Sequence, residues 1–187
     1  RIVLLPDNNF YSPVFNIENA IKHATGDIIV LSDQDDVWLE SKVATIRRHF
    51  EDGPSSVKLI SLDGMAIDED GNVLVNSLFQ KLNARPGLLK NVFNNTYMGC
   101  CIAFSRELLS IALPFPKKIP MHDMWLGLLA EMYGEVTFIP EKTLLYRKHA
   151  GSVTDFRIRF MPLTQILRRW HLTYNLILRR MQIRKGH

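Results

Sequence analysis

The stretch that decides the fold of this chain is IIVLSDQDDVWLESK, residues 28–42. It opens on a continuous apolar run, IIVL, which is typical of a strand covered on both faces in a parallel sheet. Three carboxylates follow almost at once, at Asp33, Asp35 and Asp36. Since like charges that crowd the end of a buried strand repel one another, this cluster needs a partner that compensates the repulsion.

The segment before this stretch predicts a βαβ unit. Residues 1–5, RIVLL, form a short β-rich run that ends before Pro6. Ser12 then offers an N-cap and Pro13 occupies the first helical position, and apolar residues recur at helical spacing as far as Gly26. Strand, helix and strand therefore follow one another within about 32 residues.

The segment after it predicts further strands and helices. VKLISLDGMAIDEDGNVLV, residues 57–75, contains two strand-like runs around Asp70-Gly71, a dipeptide typical of hairpin turns. The other predicted elements are helices at 38–50 and 122–133 and strands at 99–104 and 136–139. The fold class is therefore α/β, with a mixed sheet flanked by helices.

Composition is that of an ordinary globular protein. The 187 residues are 47% apolar and 22% charged, which suits one domain with a sizeable core. No apolar run reaches the roughly 18 residues of a membrane span, and no signal peptide is visible. Cys100 and Cys101 are adjacent, a spacing that fits neither a zinc site nor a redox pair. We expect buried thiols, a reducing compartment and a cytoplasmic location.

Charge is distributed unevenly along the chain. Residues 157–187 contain eight Lys and Arg and no Asp or Glu, which leaves 15 basic and 19 acidic residues in 1–156. Because the body is mildly acidic, there is no reason to expect a nucleic-acid partner. We predict a domain over residues 1–156 and a basic amphipathic helical tail over 157–187.

The tail has apolar residues at three- and four-residue steps, which predict one helical stripe. They are Leu163, Leu167, Trp170, Tyr174, Ile177 and Met181. The pairs Arg168-Arg169 and Arg179-Arg180 are eleven residues apart, so both lie on one side of the helix. Either the stripe packs on the domain, or the helix contacts an anionic membrane surface, peripherally at its inner face. Both hold together if the stripe packs inward and the arginines face lipid.

The acidic cluster predicts a metal site. Residues two apart in a strand point the same way, so Asp33 and Asp35 are expected on one side, with Asp36 turned away to cap the next helix. Ligands of open α/β sheets bind beyond the carboxyl ends of the strands. Oxygen ligands there suit Mg²⁺ or Mn²⁺, which keep positions open for phosphate oxygens. The alternative is a solvated acidic loop that caps a helix.

SDQDDVW, residues 32–38, resembles the DxD signature of glycosyltransferases with the GT-A fold, and specifically family 2 members often described as rhamnosyltransferases. Further blocks resemble the same family in order along the chain. They are FN at 15–16 with GD at 26–27, IDEDGNV at 67–73, TYMGCCIAFSREL at 96–108, PMHDMWL at 120–126 and LLYRKHAGSVT at 144–154. Ordered blocks make the resemblance more specific than a lone DxD.

The resemblance implies an inverting transfer of a sugar, frequently rhamnose in this family, from a nucleotide-sugar to a hydroxyl of a glycan or lipid-linked acceptor. It implies that Asp33 meets the nucleotide ribose and that Asn16 touches the nucleotide. Asp35 and His149 would hold Mn²⁺ or Mg²⁺ at the diphosphate. Asp123 would take the proton from the acceptor hydroxyl.

Each of these assignments has a structural alternative. Asp123 stands where it could N-cap the helix that follows. His149 precedes Ala-Gly-Ser and fits an exposed loop, while Asn16 fits a helix position that faces solvent.

The resemblance also predicts that part of the family's domain precedes residue 1. Members begin with a strand and a Tyr-Asn turn, then a second strand closed by an Asp-Asp-Gly-Ser block, and this sequence has neither. Residue 1 falls at what resembles the third strand, so we expect about 80–90 residues of the domain to be missing. Donor affinity of this segment alone would then be reduced and an edge strand exposed.

Two other functions fit parts of the sequence. An apolar strand followed by Asp33-x-Asp35-x-Val37 also describes a phosphatase of the haloacid-dehalogenase type, but no Asp-Asp or Gly-Asp pair follows residue 71. The second is a noncatalytic nucleotide- or carbohydrate-binding remnant of a transferase. The joint presence of the predicted site residues argues against such decay, whereas the missing strands argue for it.

Overall fold

The structure, a computed structural model, describes residues 2–4, 10, 12–51, 56–149 and 163–185. The strands are β1 (Ile28–Val30), β2 (Val37–Trp38), β3 (Lys58–Ile67), β4 (Val73–Val75), β5 (Ile102–Ser105) and β6 (Glu135–Arg147). The helices are α1 (Pro13–His23), α2 (Ser41–Arg48), α3 (Leu78–Leu82), α4 (Leu88–Phe93), α5 (Glu107–Ala112), α6 (His122–Tyr133) and α7 (Leu163–Lys185). A short 3₁₀ turn, Gly99–Cys101, leads into β5.

The strands form one mixed sheet in the order β1-β5-β3-β6-β2, and β4 pairs with the end of β3. β3 and β6 are parallel from Lys58 opposite Glu135 to Ile67 opposite Arg147. β5 is antiparallel to both β1 and β3, so β1, β3 and β6 share one direction. This confirms the mixed sheet, and the carboxyl ends of these three strands face the same edge.

Local signals explain the first helix and the hairpin. The Ser12 hydroxyl accepts from the backbone N–H of Val14 at 3.3 Å, and Pro13 opens α1, as predicted. The predicted hairpin is formed by β3 and β4, with Gly71 at φ 90°, a left-handed conformation that glycine adopts without strain.

The main core lies between the sheet and helices α1, α5, α6 and α7. Leu59 and Phe104 of the sheet and Trp125 of α6 all belong to this core, and all three are fully buried. The Trp125 indole N–H donates to the Ala112 carbonyl at 3.0 Å, so this large ring is buried with its polar atom satisfied. Of the described helices, not one combines the length and the apolar character needed to cross a bilayer.

The predicted strand at residues 1–5 is wrong over its described part. Ile2 and Leu4 are 88% and 80% exposed and belong to no strand, so the described residues form no βαβ unit. Within the described residues β1 pairs only with antiparallel β5, rather than lying in a parallel sheet. An apolar β-rich composition does not make a strand where no partner backbone lies alongside it.

The strand predicted at 99–104 begins only at Ile102, because residues 99–101 form the 3₁₀ turn. Two further elements differ in extent from the prediction. The helix predicted from residue 38 begins at Ser41, because Val37 and Trp38 pair with Leu145 and Leu144 of β6. β6 itself continues to Arg147 instead of ending at residue 139, since it follows β3 through two register shifts. Both differences come from pairing between residues far apart in sequence.

Gly134 ends α6 at a point where a side chain has no room. A Cβ there would lie 1.9 Å from the Val57 carbonyl oxygen, which accepts the hydrogen bond that starts β6. We expect Gly134→Ala to lower the free energy of unfolding by about 1–3 kcal/mol, because β6 must shift away from Val57. Urea denaturation measures this loss.

Gly26→Ala is the matched control for this substitution. A Cβ at Gly26 would lie 3.3 Å from the Ile28 carbonyl oxygen, a tight contact that a small shift relieves. Equal urea midpoints for the two variants would contradict the steric account.

Candidate active site at the carboxyl end of the sheet

The candidate site lies where the shared direction of β1, β3 and β6 brings three strand ends together. The acidic loop, defined here as residues 31–36, follows β1 directly. The 3₁₀ turn before β5 lies at the same edge, since the backbone N–H of Leu31 donates to the carbonyl of Ile102 at 3.3 Å. Residues from distant parts of the chain therefore surround this loop.

The acidic loop does not continue the strand. β1 ends at Val30 and residues 34–35 form a turn, so the expectation that Asp33 and Asp35 share a strand face is wrong. Ligand atoms of Asp33, Asp36 and Cys100 instead lie within 4.8 Å of one another. Asp36 also does not cap α2: its Oδ1 accepts from the backbone N–H of Arg147 at 3.0 Å.

Asp35 and His149, the two metal ligands that the resemblance implies, lie next to each other. His149 Nε2 lies 3.0 Å from Asp35 Oδ2, although the residues are 114 positions apart. Both side chains keep access to solvent, with 41% of His149 and 27% of Asp35 exposed. The pair is therefore accessible from solvent.

Arg147 holds the surrounding backbone together. Its guanidinium donates to the carbonyls of Asp35 at 3.2 Å, Asp68 at 3.3 Å and Glu69 at 3.0 Å. It thus joins the acidic loop to the β3–β4 hairpin at the end of β6. Sequence reasoning gave Arg147 no role, although it stands inside the Tyr-Arg-x-His block.

Lys42 was also missed by sequence reasoning. Its side chain is fully buried, and its Nζ donates to the Cys100 carbonyl at 2.8 Å and lies 4.4 Å from the centre of the Trp38 ring. Burial lowers the pKa of Lys42, and the neighbouring acidic groups act in the opposite direction. No pattern in the sequence distinguishes this lysine from one that faces solvent.

The negative charge of the loop carboxylates is compensated only in part, by Lys42. Burial raises the pKa of Asp33, and the charges of Asp36 and Asp35 raise it further. Burial also raises the pKa of Asp36, against the hydrogen bond from the Arg147 N–H. The nearby Cys100 thiol lowers the pKa of Asp36. The buried Oδ2 atom of Asp36 nevertheless has no hydrogen-bond partner of good geometry among the described residues.

Asp123 lies in the first turn of α6 and is not its N-cap, which is Met121. Its carboxylate is buried and accepts from the Asn95 amide at 3.3 Å and from the backbone N–H of Met124. Burial raises the pKa of Asp123 to about 7, and the charge of Asp33 adds to this rise. Asp33 is therefore close enough for its charge to act on Asp123.

His122 and Asn16 differ in their relation to the site. His122 is buried against Gly99, and burial lowers its pKa to about 4, so the ring is neutral near pH 7. Asn16 is exposed on α1, and no hydrogen bond from its side chain to the acidic loop occurs among the described residues. Asp35 therefore contacts His149, and Asp33 acts electrostatically on Asp123, whereas no hydrogen bond joins Asn16 to these residues in the part of the chain that the structure describes.

A mixed sheet flanked by helices, with an acidic loop at the carboxyl end of its strands, defines the GT-A class of glycosyltransferase fold. The structure is similar to that of "S. aureus TarS 1-349 in complex with UDP-GlcNAc", with a TM-score of 0.54 and 16% identity. The match covers 83% of this chain and 44% of that chain, so this chain spans less than half of its length. At this identity the similarity shows the fold alone.

The family follows from the sequence itself. The family described as "Glycosyl transferase family 2" matches residues 2–111, and the chain belongs to that family. The matched range includes the acidic loop, Lys42 and Cys100, whereas Asp123 and His149 lie beyond it. A search of curated proteins finds no match.

The raised pKa of Asp123 predicts a pH-dependent stability. The folded carboxyl holds its proton up to about pH 7, whereas the unfolded one releases it near 3.8, so stability falls as pH rises between these values. Asp123→Asn keeps the Oδ1 acceptor and removes the titrating carboxyl group, so this fall in stability should disappear. We expect the free energy of unfolding of the variant, relative to that of wild type, to rise by about 2–3 kcal/mol between pH 5 and pH 8. Urea unfolding in the presence of a metal chelator measures this difference.

Asp70 is exposed, so Asp70→Asn is the control for the loss of one carboxyl group at a position in contact with solvent. It should show the same pH dependence of stability as wild type. If Asp123→Asn also follows wild type between pH 5 and pH 8, the buried carboxyl does not titrate as described.

Proposed function

We propose that this chain forms the catalytic site of a metal-dependent, inverting glycosyltransferase. It would move a sugar from a nucleotide-sugar donor to a hydroxyl of a glycan or lipid-linked acceptor. The observation that carries the proposal is the meeting of Asp35 with His149 at 3.0 Å beside a carboxylate loop that acts electrostatically on Asp123. The rhamnosyltransferase-like motif blocks favour rhamnose as the donor sugar.

The donor set at Asp35 and His149 fits a divalent cation. A carboxylate oxygen and an imidazole nitrogen already face each other there, and imidazole suits Mn²⁺ better than Mg²⁺. Cys100 is a poor ligand, since contact with Cys101 and burial raise the pKa of its thiol and keep it protonated. When bound, the ion would neutralise charge on the diphosphate.

The residues of the chain would divide the remaining work. Asp33 lies in the acidic loop beside Asp35, where it would meet the nucleotide ribose, with Asn16 an additional nucleotide contact from α1. Asp123 would accept the proton of the acceptor hydroxyl. Its pKa of about 7 suits a general base near neutral pH, and such catalysis contributes about 10²–10⁴-fold. Asn95 holds this carboxylate in place through its amide.

Two findings support a nucleotide-sugar donor and one supports the compartment. The family match includes the acidic loop, and the similar structure is described as a complex with UDP-GlcNAc. Cys100 and Cys101 are both buried free thiols, which fits a cytoplasmic location, with peripheral contact at the inner face of the membrane.

Removal of either proposed ligand should weaken Mn²⁺ binding. We expect Asp35→Asn and His149→Asn each to raise the Mn²⁺ dissociation constant by about tenfold or more in the presence of a nucleoside diphosphate, because each removes one donor atom. Electron paramagnetic resonance of free Mn²⁺ measures this. The exposed residues Asp70 and His23, each changed to Asn, are the matched controls, and unchanged affinity in Asp35→Asn would refute the assignment.

Removal of the proposed base should separate chemistry from binding. We expect Asp123→Asn to lower kcat by about 10²–10⁴-fold and to leave the donor dissociation constant unchanged. Asp33→Asn should instead weaken donor binding. Release of nucleoside diphosphate from a panel of nucleotide-sugars, together with donor titrations, checks both.

The same assay distinguishes the noncatalytic alternative. If the wild-type protein binds donors and releases no nucleotide with any acceptor tested, it is a binding module. If Asp123→Asn retains wild-type turnover, Asp123 is not the base.

A further inference from the structure

The contacts of α7 determine which of its faces looks inward. Leu172 and Leu176 are buried in the main core. The Arg179 guanidinium donates to the carbonyls of Ile111 at 2.9 Å, Leu113 at 2.7 Å and Pro114 at 2.6 Å. α7 is therefore held to the body by one apolar strip and an arginine anchor.

The opposite face of α7 is an exposed apolar row. Its members are Ile166, Leu167, Trp170, Tyr174, Ile177 and Met181, each about half exposed or more. Five of these residues, all except Ile166, belong to the predicted stripe, and the expectation that the stripe packs on the domain is wrong for those five. The side chain of the sixth predicted member, Leu163, lies outside the described residues. Arg169 and Arg179 also do not face outward, because Arg169 reaches the sulfur of Met124 and Arg179 binds the body.

A row of this length requires an explanation. Single exposed apolar side chains are ordinary, but a continuous patch marks an interaction surface. From residue 166 to 181 the row extends about 22 Å along the helix at ~1.5 Å per residue. The Trp170 and Tyr174 rings stack on each other, with centroids 5.7 Å apart, and form a flat aromatic surface at its centre.

The charges on α7 favour an anionic occupant. Residues 163–185 contain six Arg and Lys and no Asp or Glu. Arg168, Arg180, Arg184 and Lys185 are exposed, and the last two lie at the C-terminal end of the helix. Long basic side chains beside an apolar face can reach lipid headgroups while that face enters the acyl boundary, and Trp and Tyr suit the interface between them.

A second copy of the chain is a weaker candidate for this surface. The three- and four-residue spacing also occurs in coiled coils, where acidic and basic residues flanking the seam pair across the interface. The flanking positions here have no acidic residue, and a parallel pair would bring Arg180 close to Lys185 of the other copy. Like charges at these positions oppose self-association.

We propose that the outward face of α7 is a docking surface for a membrane containing anionic lipids. The apolar row would lie about 5–10 Å into the headgroup and acyl boundary, parallel to the membrane plane. Binding to lipid needs neither a sugar nor a metal.

One consequence rests on the proposed function. The contact of Arg169 with Met124 places α7 beside the first turn of α6, next to Asp123. Docking through α7 would therefore hold the proposed base near the lipid surface, where a lipid-linked acceptor is anchored.

Flotation of the protein with vesicles tests the docking surface. We expect binding to phosphatidylcholine vesicles that contain phosphatidylglycerol, weak binding to phosphatidylcholine alone, and loss of binding as salt rises. Ile177→Glu should reduce binding by about tenfold or more, because it places a charge in the apolar row. Gln182→Glu makes the same charge change at an exposed position outside the row and should stay close to wild type.

Trp170→Ser is a second variant in the apolar row, at a position that is 64% exposed, and it should also reduce vesicle binding. The test therefore does not depend on whether Ile177→Glu folds. Absence of binding to anionic vesicles, or equal loss in Gln182→Glu and Ile177→Glu, overturns the proposal. The surface belongs instead to a second copy of the chain if the protein does not bind vesicles and its mass in solution doubles as concentration rises. In that case Ile177→Glu should remain a monomer. Vesicle binding without sugar transfer leaves this proposal intact and counts only against the proposed function.

Discussion

The parallel pairing of β3 with β6 is the constraint on which the candidate site depends. Because β6 follows β3 to Ile67 opposite Arg147, the chain emerges at the edge where β1 also ends. Arg147 then ties the acidic loop to the hairpin, and His149, two residues later, reaches the Asp35 carboxylate. Residues 35 and 149 therefore meet through backbone pairing, whereas no local motif could bring them together.

The site concentrates negative charge that the described residues compensate only in part. Burial and mutual repulsion raise the pKa of Asp33, and burial raises that of Asp123 to about 7. Lys42 is the buried cation beside the loop, but its ammonium is held by the Cys100 carbonyl and faces Trp38. A cation bound at Asp35 and His149 would relieve this repulsion.

Sequence reasoning succeeded where the signal is local and failed where it is not. The Ser12 cap, the hairpin around Gly71 and helix α6 follow from short-range patterns and were predicted. The length of β6 and the strand β2 depend on pairing with distant backbone, and the burial of Lys42 depends on a carbonyl 58 positions away. Periodicity found the apolar stripe of α7 but not its orientation, since the face with Leu172 is apolar as well.

The most direct test is a crystal structure of the protein with Mn²⁺ and a nucleoside diphosphate, in which an anomalous difference map locates the metal. We expect a peak about 2.2 Å from an Asp35 carboxylate oxygen and from a His149 ring nitrogen, with the diphosphate on the solvent-exposed side of the ion. Metal bound at Asp33, Asp36 and Cys100 without His149, or a nucleotide bound away from the acidic loop, would contradict it.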